Sequence, residues 1–188
     1  MMEEREKLKE ILRQRALILK GDADITLASG QRSNFFFDMK TVLLSPESAK
    51  MIMAEILKKL RGIQFDYVGG MESGAIPIVT LVCANKAVSG RFAGGFYVRK
   101  KEKGHGERKS CVSNKIEGNL NRDSNVVIVD DVTTTGSSII DAITEVEKVG
   151  CKVVKAITIV DRGQGAKENL AKIGVELDAL FTAAEFGL

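Results

Sequence analysis

From Val126 to Ile139 the chain reads VVIVDDVTTTGSSI. Four β-branched apolar residues, Val126 to Val129, stop on two adjacent aspartates, Asp130 and Asp131. Val132, Thr133, Thr134, Thr135, Gly136, Ser137 and Ser138 follow, and apolar residues then recur at helical spacing. The run reads as a buried strand from Asn125 to Asp130 leading into a helix that starts at Ser137. Neighbouring side chains on a strand point to opposite faces and like charges repel, so this carboxylate pair is not a stability device. In open α/β sheets ligands sit beyond the carboxyl ends of the strands, where loops enter helices. Small hydroxylated residues and a permissive glycine ahead of a helix N-terminus make a phosphate cradle there. Two carboxylates one step before such a cradle suit a sugar phosphate, with phosphate in the loop and ribose hydroxyls donating to Asp130 and Asp131. Their repulsion eases once hydroxyls or a Mg²⁺ ion share the charge. A plain helix N-cap with acidic neighbours accounts for one aspartate, but not for two or for the hydroxyl-rich tract.

Outward from this motif, strands and helices alternate. CKVVKAITIVDR (151–162) reads as a strand, GAKENLAKIG as a helix closed by Gly174, and VELDALFT as a final strand. Upstream, Ser45-Pro46-Glu47 starts a helix running to about Leu60, with Ser45 as N-cap and proline at the first helical position. FDYVGG is then a short strand from Phe65, and SGAIPIVTLVCANK a helix with Pro77 tolerable only in its first turn. RFAGGFYVRK is a strand followed by a basic loop, and the helix from Ser137 ends at Gly150. Nearly all-apolar strands alternating with helices predict an α/β fold, a parallel sheet flanked by helices, over about residues 46–188. Residues 1–45 stand apart from this alternation. Their amphipathic helix, with Leu8, Ile11, Leu12 and Leu19 on one face, and the segments DITLASG and NFFFDMK are expected to form a small N-terminal hood on a single domain.

Length and composition fit one soluble globular domain: 188 residues, of which 44% are hydrophobic and 28% charged. Cys83, Cys111 and Cys151 are odd in number and far apart, which argues for a reducing, cytoplasmic setting rather than a disulfide framework. The longest apolar run, Ala75 to Ala84, is too short to span a bilayer, and the charged N-terminus does not read as a signal peptide. The net charge of +3 is concentrated. Seven Lys or Arg against two Glu give Arg99 to Lys115 a charge of +5, so the rest of the chain nets −2. A compact cationic loop without interleaved aromatics suits a small polyanion better than a nucleic acid.

VVIVDDVTTTGSSI resembles the phosphoribosyl-diphosphate (PRPP) binding motif of type I phosphoribosyltransferases. FYVRKKEKGHG (96–106) resembles the mobile catalytic loop of the orotate phosphoribosyltransferase family, with Arg99, Lys100, Lys103 and His105 at its cationic positions. SGQRSNFFFD (29–38) is similar to that family's orotate-contacting stretch, and VDRGQGAKENL to its DR…GA.E.L stretch. The resemblance implies the type I phosphoribosyltransferase fold, Mg²⁺ carried by PRPP and reached through water from Asp130 and Asp131, and no protein ligand bound directly to the metal. It implies that Arg99, Lys100, Lys103 and His105 face the diphosphate, and that residues 130–138 hold ribose and phosphate. Phe35, Phe36, Thr134 and Arg162 would contact orotate, and Lys103, Asp130 and Asp131 would carry catalysis. It also implies a homodimer in which loop 99–117 reaches the neighbouring subunit's site.

The residues themselves agree in part. A guanidinium pairs with the orotate carboxylate in a fork that lysine cannot copy, and Arg162 ends a strand two along from the motif strand. A surface ion pair with Asp161 or Glu168 is the other reading of Arg162. His105, the lone histidine, is either solvated or a donor to a diphosphate oxygen. Two positions depart from the family pattern. Ala28 and Ser73 stand where many members carry lysines that contact the diphosphate, and the loop runs on through ERKSCVSNK, where Cys111 has no derivable role. A transferase for another base and a non-catalytic PRPP sensor are the rival readings. The loop motif and Arg162 speak against the first, and the retained catalytic loop against the second.

Overall fold

The apolar half of the motif forms the middle of the sheet. In the computed structural model, which describes residues 2–20, 25–26, 32–85, 93–102 and 113–188, strand β8 spans Asn125–Thr133. Val126 and Ile128 pack into one apolar cluster and Val127 and Val129 into another, so alternate side chains bury both faces. The strand runs three residues past its expected end at Asp130. Both aspartates therefore sit on extended backbone held by the neighbouring strand, because Val132 and Thr133 still pair with Val160 and Asp161.

Around β8 lie β5 (Tyr67–Gly69), β6 (Gly94–Val98), β7 (Ile116–Gly118), β9 (Lys152–Asp161) and β10 (Leu177–Thr182), in the order β10-β9-β8-β5-β6-β7. All neighbours are parallel except β7, which pairs antiparallel with β6. The sequence reading missed β7, since three residues after a polar loop carry too little pattern to reveal an edge strand. It also placed Arg162 two strands from the motif, whereas β9 pairs directly with β8. Beyond β5 the chain moves to one side through β6 and to the other through β8. The β5/β8 junction is thus the topological switch point, where an open sheet leaves a crevice at the carboxyl ends of its strands.

Helices α3 (Pro46–Leu60) and α4 (Ala75–Cys83) cover one face, and α5 (Ser137–Glu147) and α6 (Ala166–Ala171) the other. Pro77 falls in the first turn of α4, where its missing N–H costs nothing. Ser45 occupies the N-cap of α3 in extended conformation but makes no side-chain cap bond. Ser48 Oγ instead donates to Val42 O at 2.7 Å, tying α3 to the short helix α2 (Lys40–Leu43).

Helix α1 (Met2–Arg15) buries Leu8 and Leu12 completely in the same cluster as Ile157, Ile159 and Phe181. Each is worth about 1.5–3 kcal/mol relative to exposure. Arg5 pins the helix to the end of β10, with Nη2 donating to Leu180 O at 2.9 Å and pairing with Glu185 at 2.6 Å. Leu19 does not belong to the helix face. The helix ends at Arg15, and Leu19 lies exposed in β1 (Leu17–Leu19). β1 pairs antiparallel with β4 (Phe35–Phe37), and β2 (Ile25–Thr26) with β3 (Arg32–Ser33). These two small pairs lie outside the main sheet. Cys83 and Cys151 are free thiols, the latter buried with its S–H donating to Asn121 O at 3.2 Å. Among the described residues no helix is long and apolar enough to cross a membrane.

Candidate active site

Asp130 and Asp131 stand at the switch point with little to satisfy them. Asp130 is 7% exposed, and its Oδ1 accepts the Asp131 N–H at 3.1 Å. Asp131 Oδ1 accepts the Val132 N–H at 2.8 Å. Among the described residues neither carboxylate has a salt-bridge partner. Burial pushes the Asp130 pKa well above the usual carboxylate range, the Asp131 charge adds to the rise, and Lys100 only partly opposes it. Asp131 is also raised by burial, against the Val132 N–H and the charge of Lys40. The turn after β5 closes over this pair. A Cβ built at Gly74 would lie 2.4 Å from Asp131 Oδ1, so only glycine lets that backbone pass so close to the carboxylate.

Beyond the aspartates the chain turns into α5. Gly136 takes the left-handed conformation at φ 82°, and a Cβ there would come within 3.0 Å of Leu170. Asn169 Nδ2 from α6 donates to Thr135 O at 3.0 Å and fixes the turn. Thr133 is buried, while Thr134 and Ser138 open onto the cleft with both aspartates. N–H groups in the first turn of a helix lack intrahelical partners. This loop therefore offers hydroxyls and free amide donors to an anion, beside carboxylates that suit hydroxyl donors.

Arg162 completes the floor. Its N–H donates to Thr133 O at 2.9 Å, carrying the β8–β9 ladder one residue further. The side chain is 6% exposed. Nη1 donates to Phe35 O at 3.2 Å, Nη2 donates to Ser33 Oγ at 2.6 Å, and the guanidinium lies 3.9 Å from the centroid of the Phe35 ring. Nε has no partner. Neither Asp161 nor Glu168 pairs with it, and Asp161 Oδ1 accepts the Gly163 N–H instead. Arg162 thus lines the cleft as a buried guanidinium whose Nε is unmet.

A cleft of about 230 Å³ gathers these groups, lined among others by Phe36, Phe37, Ser73, Lys100, Asp130, Asp131, Thr134 and Arg162. The phosphoribosyl transferase domain model matches residues 41–185. An orotate phosphoribosyltransferase of Rhodopseudomonas palustris (strain TIE-1) is 39% identical over 97% of this chain and 95% of its own length. One from Methanocaldococcus jannaschii is 39% identical over 98% and 97%. The chain belongs to the orotate phosphoribosyltransferase family. The solved Mycobacterium tuberculosis H37Rv orotate phosphoribosyltransferase, in complex with PRPP, has the same fold. It superposes with a TM-score of 0.77 at 28% identity, covering 98% of this chain and 99% of that one.

Several positions singled out for the orotate phosphoribosyltransferase resemblance fall differently from one another. Phe36 lines the cleft, with Phe37 beside it, whereas Phe35 lies behind, under the Arg162 guanidinium and edge-on to Phe37. Lys100 lines the cleft and its N–H donates to Glu72 Oε1 at 2.9 Å. Arg99 is turned toward the edge strand: Nη1 reaches Glu117 Oε1 at 3.4 Å and Nε donates to Lys101 O at 3.3 Å. It lines an adjoining cavity of about 410 Å³ together with Lys100, Ser137 and Ser138. Ser73 lines the main cleft. Lys103, His105 and Cys111, like Ala28 to Gly30, lie outside the described residues. Met39, Lys40, Met71 and Glu72 also line the cleft and were not picked out from the sequence. Their only signal is position, since Met39-Lys40 directly follows the FFFD stretch and Met71-Glu72 follows the double glycine after β5.

Proposed function

We propose that the chain transfers the phosphoribosyl group of PRPP to orotate, releasing diphosphate and orotidine 5′-monophosphate for pyrimidine nucleotide synthesis. The observation that carries this reading is one cleft holding a carboxylate pair that has no salt bridge among the described residues, a hydroxyl-rich helix entry and a buried arginine whose Nε has no partner. The three sets match the three parts of the reacting pair. The 5′-phosphate fits the loop of Thr133 to Ser138, ribose hydroxyls donate to Asp130 and Asp131, and the orotate carboxylate meets Arg162 beside Phe36.

Bond-making then joins an orotate ring nitrogen to ribose C1 as the C1–O bond to diphosphate breaks. Catalysis by this chain is positional and electrostatic: β8 and β9 hold the two substrates on adjacent strand ends, and no side chain need act as a covalent nucleophile. An all-oxygen donor pair with no salt bridge among the described residues fits Mg²⁺, which we place on PRPP within water-mediated reach of Asp130 and Asp131. When bound, the ion would neutralise charge on the diphosphate. Lys100, Arg99, Lys103 and His105 would add positive charge on the same side.

We further propose a cytoplasmic homodimer in which loop 99–117 serves the neighbouring site. Mixing Lys103→Ala chains with Asp130→Asn/Asp131→Asn chains should then restore part of the activity. Mixed dimers no more active than either parent would assign each loop to its own subunit. The reaction itself is tested by following the PRPP-dependent loss of orotate absorbance, with adenine and uracil as controls. Turnover of orotate alone is expected. Turnover of a control base in its place, or of none, would overturn the reading.

A further inference from the structure

We propose that Lys40 is a diphosphate-binding residue of this site, supplying from the α2 side the positive charge that the turn after β5 lacks. The inference rests on the PRPP reading above. Lys40 is the first residue of α2, three positions after β4, and it lines the main cleft together with Glu72, Ser73, Gly74, Lys100, Asp130 and Asp131. Among the described residues its one ion pair is a loose contact with Asp38 at 3.8 Å, and its side chain is 66% exposed, so the ammonium is free to swing.

The charges of the cleft call for such a group. Its lining holds three acidic side chains, Glu72, Asp130 and Asp131, against three basic ones, Lys40, Lys100 and Arg162. Arg162 is committed to Phe35 O and Ser33 Oγ at the base-binding end. For an incoming diphosphate, Lys40 and Lys100 are therefore the available cations among the described lining residues. The two come from different elements. Lys100 follows β6 and its backbone is held by Glu72, whereas Lys40 reaches in beside Phe37 and Met39. The Lys40 charge is felt at Asp131, whose carboxylate abuts Gly74. With ribose over the aspartates and the 5′-phosphate in the Thr133–Ser138 loop, the remaining anionic arm of PRPP lies between Lys40, the 71–74 turn and Lys100. A flexible ammonium can follow charge as it builds on the departing oxygen, which a fixed amide donor cannot.

The test is Lys40→Met, with Lys40→Arg and Lys40→Met/Ser73→Lys alongside. Magnesium diphosphate affinity is read by calorimetry without orotate, and steady-state kinetics are read for both substrates. In Lys40→Met we expect diphosphate to bind about tenfold more weakly. kcat/KM for PRPP should fall at least as far, and the KM for orotate should hardly move. Arginine at 40, or lysine at 73, should restore most of the loss. An unchanged diphosphate affinity in folded Lys40→Met overturns the proposal. So does a defect confined to the orotate KM, which would instead put Lys40 on the orotate carboxylate. Wild-type protein that makes no orotidine 5′-monophosphate would sink the underlying reading, whatever the variants show.

Discussion

The carboxylates of β8 and the guanidinium of β9 occupy the carboxyl ends of adjacent strands, yet they are prepared for their ligands in opposite ways. Asp130 and Asp131 accept the N–H groups of their own chain neighbours and have no salt-bridge partner among the described residues, so Lys100 and Lys40 only partly offset their burial. Arg162 is wrapped by β3 and β4, with Nη1 and Nη2 each donating once, the guanidinium stacked on the Phe35 ring and Nε left without a partner. The first pair is kept under tension that a ligand relieves. The second is a guanidinium whose direction is fixed by segments outside the main sheet. The carboxylate pair therefore costs stability, and the direction of Arg162 depends on how the N-terminal strands sit.

The largest effect should come from the carboxylates. Replacing both by Asn keeps shape and removes charge, and PRPP affinity should fall by at least about a hundredfold, since two charge-assisted contacts are lost. Calorimetry on the folded double variant checks this, and an unaltered affinity would contradict the ribose assignment. Next, Arg162→Ala should raise the orotate concentration needed for half-saturation by about ten- to a hundredfold, the worth of one buried charge-assisted contact.

A smaller change separates the guanidinium from its support. Ser33→Ala removes the acceptor of Nη2 but leaves Phe35 O for Nη1. The orotate KM should rise by about three- to tenfold while the PRPP affinity holds. A Ser33→Ala enzyme with wild-type orotate kinetics would show that Arg162 keeps its aim without β3.

The smallest effect is on stability, and its sign is the informative part. Asp130 and Asp131 have folded pKa values raised by burial, so the folded state binds protons more readily than the unfolded chain. Stability without ligand should therefore fall as pH rises from the ordinary carboxylate range through the raised values, and stay lowered above them. Asn at 130 mimics the protonated form and escapes that loss. Asp130→Asn should raise the melting temperature at neutral pH by a few degrees, on the order of 2–4 °C for each 1 kcal/mol in a chain of this size. The gain should shrink as pH falls and vanish below about pH 3, where the aspartates are protonated in both the folded and the unfolded wild type. A destabilised Asp130→Asn at neutral pH would mean that the pair is not under tension.

Much of this was legible in the residues. Apolar strands punctuated by glycine-closed helices gave away the parallel sheet, and the carboxylate pair and the hydroxyl tract picked out in the sequence do meet in one cleft. What escaped was set by tertiary contact. The strand continues through Asp131 because β9 still pairs there, β7 exists because β6 offers it an edge, and Arg162 neighbours the motif directly. Phe35 and Phe36 look equivalent in FFFD, yet alternation on β4 buries one under Arg162 and leaves the other in the cleft. The Ser33–Arg162 bond joins residues 129 positions apart, and local pattern carries no trace of such a pairing.

The division of labour between the two strand ends is tested most directly by PRPP affinity, measured by calorimetry on Arg162→Ala and on Asp130→Asn/Asp131→Asn side by side with wild type. Arg162→Ala is expected to bind PRPP as wild type does, and the double variant to lose at least about a hundredfold. Equal losses in the two folded proteins would contradict it, because the carboxylates and the guanidinium would then be serving the same part of the same ligand.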